Sequence, residues 1–195
     1  KAGGSIDLET NSGDITYNGA AEAVKALTVK SNATGGSISV TGNLKTTGAN
    51  ATDSKITVQT AGTNATNDTI TLNKAATGSD TQVLTTTGGD ATVSSGAAVL
   101  SMQGDADVGG ALALTTTTGA INIGTGTSAG YDVTGGSTSV TSTSGVITAY
   151  GSINSDGASG NTLVQTQNAI TLTKESTAST VLSSTHGNVT VKPFT

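Results

Sequence analysis

The amino-acid sequence predicts an all-β protein built as a parallel β-helix, or solenoid. A triplet of aliphatic, small polar and aliphatic residues recurs along the whole chain. Its period of two indicates short strands, and its Thr, Val and Ile residues suit an extended backbone. Gly, Asn, Asp and Ser, which favour turns, separate the triplets. The sequence has 195 residues with only 2% aromatic residues, which favours a narrow aliphatic core over a large globular one.

The triplet occurs nine times. Its instances begin at Ile15, Ile38, Ile56, Ile70, Ala91, Ile121, Ile147, Ile170 and Val189. The steps between successive first positions are 23, 18, 14, 21, 30, 26, 23 and 19 residues. Their mean is close to 22, and recurrence of one unit with a period of this size is the signature of a solenoid. We therefore predict roughly nine coils of about 22 residues, forming a single repeat segment over residues 1–195.

A second aliphatic position precedes several triplets by seven residues. Examples are Leu8, Leu84, Leu114, Val140 and Leu182, each followed by a polar run that usually contains Gly. This spacing predicts at least two short strands in every unit, joined by a polar corner.

The shared position of the first triplet residues predicts one buried aliphatic column along the solenoid axis. Its expected members are Ile15, Ile38, Ile56, Ile70, Ile121, Ile147, Ile170 and Val189. In such a column each coil covers the side chains of the coil before it.

The composition excludes several functional classes. The charged fraction is 11%, the formal net charge is −5, and the chain has no Arg and no Cys. Eight scattered Lys residues make no basic patch for nucleic acid. A disulfide framework is impossible without Cys, and no apolar run is long enough for a transmembrane segment.

Residues that could support catalysis or metal binding are sparse, and we predict no enzyme, no catalytic residues, no metal and no cofactor. His186 occupies a polar position equivalent to other corners. Asp105 and Asp107 are expected in a polar turn, since one copy of such a pattern supplies too few oxygen ligands for calcium. Asp14 and Asp90 directly precede triplets and are expected to accept hydrogen bonds from backbone amides.

The middle residues of the nine triplets are the most specific feature. Because alternate side chains of a strand point to opposite faces, these residues should face outward in one ladder. The ladder would contain Thr16, Ser39, Thr57, Thr71, Thr92, Asn122, Thr148, Thr171 and Thr190. One interpretation is that Thr simply suits an exposed strand. The alternative is a surface that binds ice or polysaccharide.

Several corner segments resemble a known family. The sequences GDIT at 13–16, GAIN at 119–122, GVIT at 145–148 and GNVTV at 187–191 are similar to the passenger repeats of filamentous haemagglutinin-type and autotransporter adhesins. The resemblance runs from Ser5 to Val191 and implies a right-handed parallel β-helix in an extracellular bacterial adhesin or surface filament.

Two kinds of partner follow from this reading. The first is the solenoid itself, because its end coils expose unpaired backbone; we expect them to abut a longer solenoid or another copy stacked end to end. The second is a host or biofilm surface that carries glycans or proteins.

Overall fold

The computed structural model describes residues 1–50, 52–74, 81–124, 131–173 and 181–193. These residues form strands and turns and no helix, which confirms the all-β prediction. Consequently they contain no helix that is long and apolar enough to cross a membrane. Burial alternates along the strands: in residues 27–31 every second residue is buried and the others are half-buried.

The strands lie in three stacks, and every pair of neighbouring strands in a stack is parallel. Stack 1 contains β1 (Ile6–Thr10), β4 (Leu27–Ser31), β7 (Ile56–Gln59), β10 (Ala91–Gly96), residues 112–116 of β12 (Asp105–Thr116), residues 138–142 of β14 (Val133–Ser142), β17 (Thr162–Gln165) and β20 (Val189–Lys192).

Stack 2 contains β2 (Ile15–Asn18), β5 (Ile38–Thr41), β8 (Ile70–Asn73), β11 (Leu100–Gln103), β13 (Ile121–Ile123), β15 (Ile147–Tyr150) and β18 (Ile170–Thr173). Stack 3 contains β3 (Ala21–Ala23), β6 (Leu44–Thr46), β9 (Gln82–Thr86), residues 105–108 of β12, residues 133–135 of β14, β16 (Ile153–Ser155) and β19 (Leu182–Ser184). The long strands β12 and β14 join stacks 1 and 3 into one 13-stranded sheet, whereas stack 2 is a separate seven-stranded sheet.

The chain passes through stacks 1, 2 and 3 in that order, and we term each passage a circuit. Among the described residues there are seven circuits, followed by one more strand of stack 1. Equivalent first residues of stack 1 are Ile6, Leu27, Ile56, Ala91, Leu112, Thr138, Thr162 and Val189. They are 21, 29, 35, 21, 26, 24 and 27 residues apart. The predicted nine coils of about 22 residues are therefore corrected to seven circuits averaging about 26.

The repeat count was wrong because the triplets belong to two different stacks. Those beginning at Ile56, Ala91 and Val189 lie in stack 1, and the other six lie in stack 2. One stack 2 strand, β11 with its sequence Leu-Ser-Met-Gln, was missed, and it accounts for the apparent step of 30 residues.

The core consists of the inward aliphatic side chains of all three stacks. The largest fully buried side chains are Leu27, Ile38, Leu44, Ile56, Ile70, Leu72, Leu84, Leu100, Met102, Leu112, Leu114 and Ile121. The predicted single column is corrected accordingly: Ile56 and Val189 belong to stack 1, and Leu100 takes a place in the stack 2 column. Three predicted members of the column are not buried: Ile15 and Ile170 are half-buried, and 46% of the Val189 surface is exposed.

Within the described part of the chain, the first and last strands of stacks 1 and 2 have a paired neighbour on one side only. In stacks 1 and 2 the strands β1, β2, β18 and β20 each pair with one other strand. Their inward apolar residues are correspondingly half-buried or exposed, unlike the equivalent residues of the central circuits. Covering by a neighbouring strand therefore decides how deeply an inward residue is buried.

Candidate functional site

The outward polar residues of stack 2 form a continuous ladder, which we call the outer ladder. It contains Thr16, Ser39, Thr71, Ser101, Asn122, Thr148 and Thr171, which are paired in register from strand to strand. Neighbouring strands of a sheet are about 4.8 Å apart, so the ladder presents one small polar group at each such step.

Six of the nine predicted ladder residues are brought together in the outer ladder. The other three face outward on stack 1, where Thr57 and Thr92 are neighbours and Thr190 pairs with Leu163, so the prediction of one ladder is wrong for these three residues. The aliphatic–Thr–aliphatic triplet is identical in character in both stacks, which is why it could not separate them. Ser101 was missed because its triplet, Leu-Ser-Met, contains no β-branched residue, whereas each recognised triplet contains at least one.

A second outward column on stack 2 lies two residues further along every strand except β13, which ends at Ile123. It contains Asn18, Thr41, Asn73, Gln103, Tyr150 and Thr173. Within the described strands of stack 2, neither outward column contains a charged residue. The outward positions of stack 1, by contrast, include Asp7, Glu9, Lys30 and Lys192. Stack 2 therefore presents a neutral polar face.

A second ladder, which sequence analysis missed, lies inside the corner that follows stack 1. We call it the inner hydroxyl ladder; its members are Thr10, Ser31, Thr60, Ser95, Thr116, Ser142 and Thr166, one in each circuit. All but the first are buried. The sequence does contain the signal. Counted from the first residue of each stack 1 strand, the fifth residue is Ser or Thr in every circuit, and it is Pro193 only after the last strand.

Several members of the inner hydroxyl ladder join one corner to the corner of a neighbouring circuit. The Ser31 hydroxyl donates to the Gly13 carbonyl oxygen at 3.1 Å, and the Thr166 hydroxyl donates to that of Gly145 at 2.5 Å. The Gly119 carbonyl oxygen accepts from Thr116 in its own circuit and from Ser142 in the next. Because a buried hydroxyl without a partner is costly, these bonds allow Ser and Thr to occupy core positions.

Acidic side chains at the corners also accept hydrogen bonds from the adjacent circuit. Asp14 Oδ1 accepts from the backbone N–H of Ser37 at 2.7 Å, and Asp90 Oδ1 accepts from that of Ala111 at 2.7 Å. Both predicted amide contacts are therefore confirmed. The Ser37 N–H, assisted by the Ser37 hydroxyl, lowers the pKa of Asp14 below its ordinary value.

Asp105 and Asp107 do not form the expected polar turn, because both lie within strand β12. Asp105 Oδ1 accepts from the backbone N–H of Asp132 at 2.9 Å, and its other oxygen accepts from the hydroxyl of Thr81. The residues directly before this strand include Gly104, so a turn was the natural reading of the sequence. In the structure the strand continues the stacking of β9 and needs no turn at these residues.

The connection between β7 and β8 is organised by a fully buried carboxylate. Asp68 Oδ2 accepts from the backbone N–H groups of Thr63 and Asn64, both at 2.7 Å, and Oδ1 accepts from that of Gly35 at 2.5 Å. Three backbone donors compensate for the burial of this negative charge. The Asp68 side chain thereby attaches the ten-residue connection between β7 and β8 to Gly35 of the preceding circuit.

Other candidate residues lie apart from one another. His186 is exposed in the corner between β19 and β20, as expected. Among the described residues, no group of three or more His, Asp and Glu side chains is placed to hold a metal ion. Tyr17 is half-buried against the core, and its hydroxyl donates to the Ala20 carbonyl oxygen at 3.0 Å. The outer ladder is thus the one extended arrangement of like groups on the described surface that could contact a ligand.

Comparisons with protein-family models, with curated proteins and with solved structures found no match for this chain.

Proposed function

We propose that the three stacks are the faces of one right-handed parallel β-solenoid. The constant order of the stacks in seven circuits supports this arrangement. So do the end strands, each with a single partner, since a closed barrel would pair them with one another. The right-handed sense is the one that parallel crossover connections almost always adopt.

The solenoid serves as a non-enzymatic structural segment of an extracellular bacterial adhesin or surface filament. The observation that carries this proposal is the bonding between circuits, in which side chains that could do chemistry are used to join one circuit to the next. The buried hydroxyls bond corner carbonyl oxygens, and Asp14, Asp90 and Asp105 bond backbone amides of the next circuit. Such bonding suits a rigid spacer.

Two measurements test this function. Antibodies raised against the purified chain should label intact cells of the source bacterium; labelling only after permeabilisation would contradict the surface location. The purified chain should release no unsaturated or reducing sugars from pectin or alginate, with or without calcium. Reproducible release would show that the segment is an enzyme.

The neutral outer ladder favours a second function, the binding of ice or of a neutral polysaccharide. Seven small polar residues in register, flanked by a second uncharged column, present hydroxyl and amide groups at regular intervals. Because no ion pair with a ligand is available on this face, recognition would rest on hydrogen bonds and on the contact of flat surfaces.

The two stacks offer a matched experiment for this second function. Replacing Thr71 and Thr148 by Lys places two charges on the outer ladder, whereas replacing Thr57 and Thr92 by Lys places them on stack 1. Binding to insoluble cellulose and partition into growing ice are the readouts. Loss in the stack 2 variant alone supports a ligand face, and equal behaviour of the parent and both variants contradicts it.

A further inference from the structure

The corner between β6 and β7 is longer than the same corner of the next circuit. Thr46 donates its side-chain hydroxyl to the Ser54 carbonyl oxygen, eight residues further along the chain. In the next circuit the paired residue Thr86 donates to the Gly89 carbonyl oxygen, which is only three residues further along. The longer corner therefore closes with the same bond around five additional residues, 49–53, which we call insert A.

The corner between β7 and β8 contains an insert of the same length. The Thr60 hydroxyl donates to the Asp68 carbonyl oxygen, eight residues further along. In the next circuit the Ser95 hydroxyl donates to the Ala98 carbonyl oxygen, three residues further along. The five additional residues are 63–67, which we call insert B.

The two inserts share their sequence pattern and their hydrogen bonds. Insert A is Ala-Asn-Ala-Thr-Asp and insert B is Thr-Asn-Ala-Thr-Asn, so both are centred on Asn-Ala-Thr. Asn50 Oδ1 accepts from the backbone N–H of Thr52, and Asn64 Oδ1 accepts from that of Thr66, both at 2.9 Å. The carbonyl oxygen of each Asn also accepts from the backbone N–H four residues on, at 3.0 and 3.1 Å. One pattern of bonds therefore occurs at two different corners.

These hydrogen bonds account for the Asn of each insert but not for its Thr. An Asp side chain would supply the same acceptor oxygen, and the Thr contributes only its backbone N–H, which any residue except Pro possesses. Thr52 and Thr66 are both exposed. Asn-x-Thr is the acceptor sequence for N-linked glycosylation, and this chemistry requires both residues. Modification therefore explains why Asn and Thr occur together in both inserts.

The structure distinguishes the inserts from the other Asn-x-Thr sequences of the chain, which begin at Asn32, Asn67 and Asn188. The Asn32 amide donates to Asn11 Oδ1 at 3.2 Å. Asn67 directly precedes the buried Asp68, whose carboxylate is held by three backbone N–H groups. Asn188 leads directly into β20, which is paired with β17. Exposed loops, rather than paired strands, are where acceptor sequences are accessible.

We propose that Asn50 and Asn64 are acceptor sites for N-linked glycosylation. The amide nitrogen of Asn bonds to C1 of a sugar that is activated as a diphosphate ester of a nucleoside or a lipid. As the C1–N bond forms, the C1–O bond to the diphosphate breaks and the amide nitrogen gives up one proton, so the diphosphate leaves. Asn50 is exposed whereas Asn64 is half-buried near Gly35, and Asn50 should therefore be modified more completely.

Peptide mapping by mass spectrometry tests the sites in the chain isolated from its source bacterium. Sugar should be found on Asn50 and Asn64 and not on Asn32 or Asn188. A single hexose would point to a nucleotide-linked donor and a preassembled oligosaccharide to a lipid-linked donor, and either supports the proposal. Unmodified Asn50 and Asn64, or equal modification of Asn32 and Asn188, would overturn it.

A reaction in solution tests the role of the loop structure. The purified folded chain is incubated with UDP-glucose and a soluble bacterial transferase that glycosylates Asn-x-Thr. The chain should gain hexose at Asn50 and Asn64 alone, whereas short peptides that contain each of the five acceptor sequences should all gain it. Equal gain at all five positions of the folded chain would contradict selection by the inserts.

Two variants separate modification from the structural role of insert A. Asn50→Asp keeps the acceptor oxygen for the Thr52 N–H but has no amide nitrogen, and Thr52→Val keeps that N–H but has no hydroxyl. Both should lose the sugar at position 50, keep it at Asn64 and melt like the parent. Thr47→Val, in the same corner but outside the insert, is the control and should keep both sugars. A Thr52→Val chain that is modified like the parent would contradict the proposal.

The outcome can be distinguished from a failure of the structural function proposed above. A chain that has the β spectrum of a folded solenoid by circular dichroism but carries no sugar would overturn the acceptor sites and leave the structural function standing. Release of sugars from pectin or alginate would contradict the structural function and leave the acceptor sites standing.

Discussion

The central circuits and the end circuits share one sequence pattern but differ in burial. The stack 1 strand Ile56–Gln59 and the stack 1 strand Val189–Lys192 both alternate aliphatic and polar residues. Ile56 is 1% exposed and Val189 is 46% exposed. The difference arises because β7 has a neighbour on each side and β20 has one. Stability in this fold therefore depends on position in the stack more than on the local sequence.

The largest expected effect comes from a charge placed in the central core. Ile121→Asp would bury an unpaired carboxylate beside Leu100 and Ile147 and should prevent folding. Val189→Asp, at an exposed end position, should cost only about 1 kcal/mol of unfolding free energy. Far-UV circular dichroism with thermal melting measures both. Equal melting of Ile121→Asp and the parent would contradict the assigned register.

Corner glycines should show the next largest contrast. A Cβ on Gly145 would overlap the carbonyl oxygen of Gly119 in the preceding circuit, whereas a Cβ on Gly4 would have no atom within 4 Å. Gly145→Ala should lower the unfolding free energy by about 2 kcal/mol, and Gly4→Ala should change it by less than about 0.5 kcal/mol. Urea denaturation of the two variants provides the comparison; similar losses would mean that close corner packing is not what limits stability.

The inner hydroxyl ladder permits a smaller, matched comparison. Thr166 is buried, donates to the Gly145 carbonyl oxygen and accepts from the backbone N–H of Asn168 at 3.1 Å. Thr10 accepts the equivalent bond from the backbone N–H of Ser12, but its hydroxyl donates to the Ser12 carbonyl oxygen within its own corner. Thr10 is also half-buried, so water can replace its hydroxyl. Thr166→Val should cost about 1 kcal/mol or more of unfolding free energy, and Thr10→Val clearly less. A larger loss for Thr10→Val would count against the ladder.

The smallest expected effect is a dependence on pH at the first circuit. Hydrogen bonds from Ser37 lower the pKa of Asp14 in the folded state. The ionised carboxylate of Asp14 is therefore more stable in the folded protein than in the unfolded chain, and it contributes to folding stability. This contribution is present above the unfolded pKa and is lost as the pH falls through the folded pKa. Asp14→Asn should therefore reduce the difference in stability between neutral and acidic solution. Urea midpoints at the two pH values measure it; an unchanged difference would contradict the assignment.

Sequence patterns predicted the strands, their short length and the polar corners, but not how many strands each circuit holds. The triplets at Ile56 and Ile70 look alike, yet they pack in different stacks. The residue two places beyond each triplet carries the missing information: it is Thr60 after stack 1, but Gly19, Gly42 or Gly151 after several stack 2 strands. These glycines have φ values of 125° to 128°, which only Gly adopts readily.

The outer ladder was predicted in kind and in six of its seven members, but three residues of stack 1 were assigned to it wrongly. Alternation identified which side chains face outward, since that follows from strand geometry alone. Which outward residues become neighbours depends on the lengths of the connections, and these vary too much for a periodicity to reveal. Asp68 illustrates the limit: its role depends on Gly35, which is 33 residues earlier in the chain and reaches it only through stacking.

The first four residues of the stack 1 strands stay in register while the circuits range from 21 to 35 residues. The extra residues leave the stack as connections, such as the ten residues between β7 and β8. Any segment inserted at such a corner would consequently emerge at a height set in whole steps of about 4.8 Å. Peptides or epitopes inserted at different corners would therefore be displayed at distances that are whole multiples of the spacing between strands.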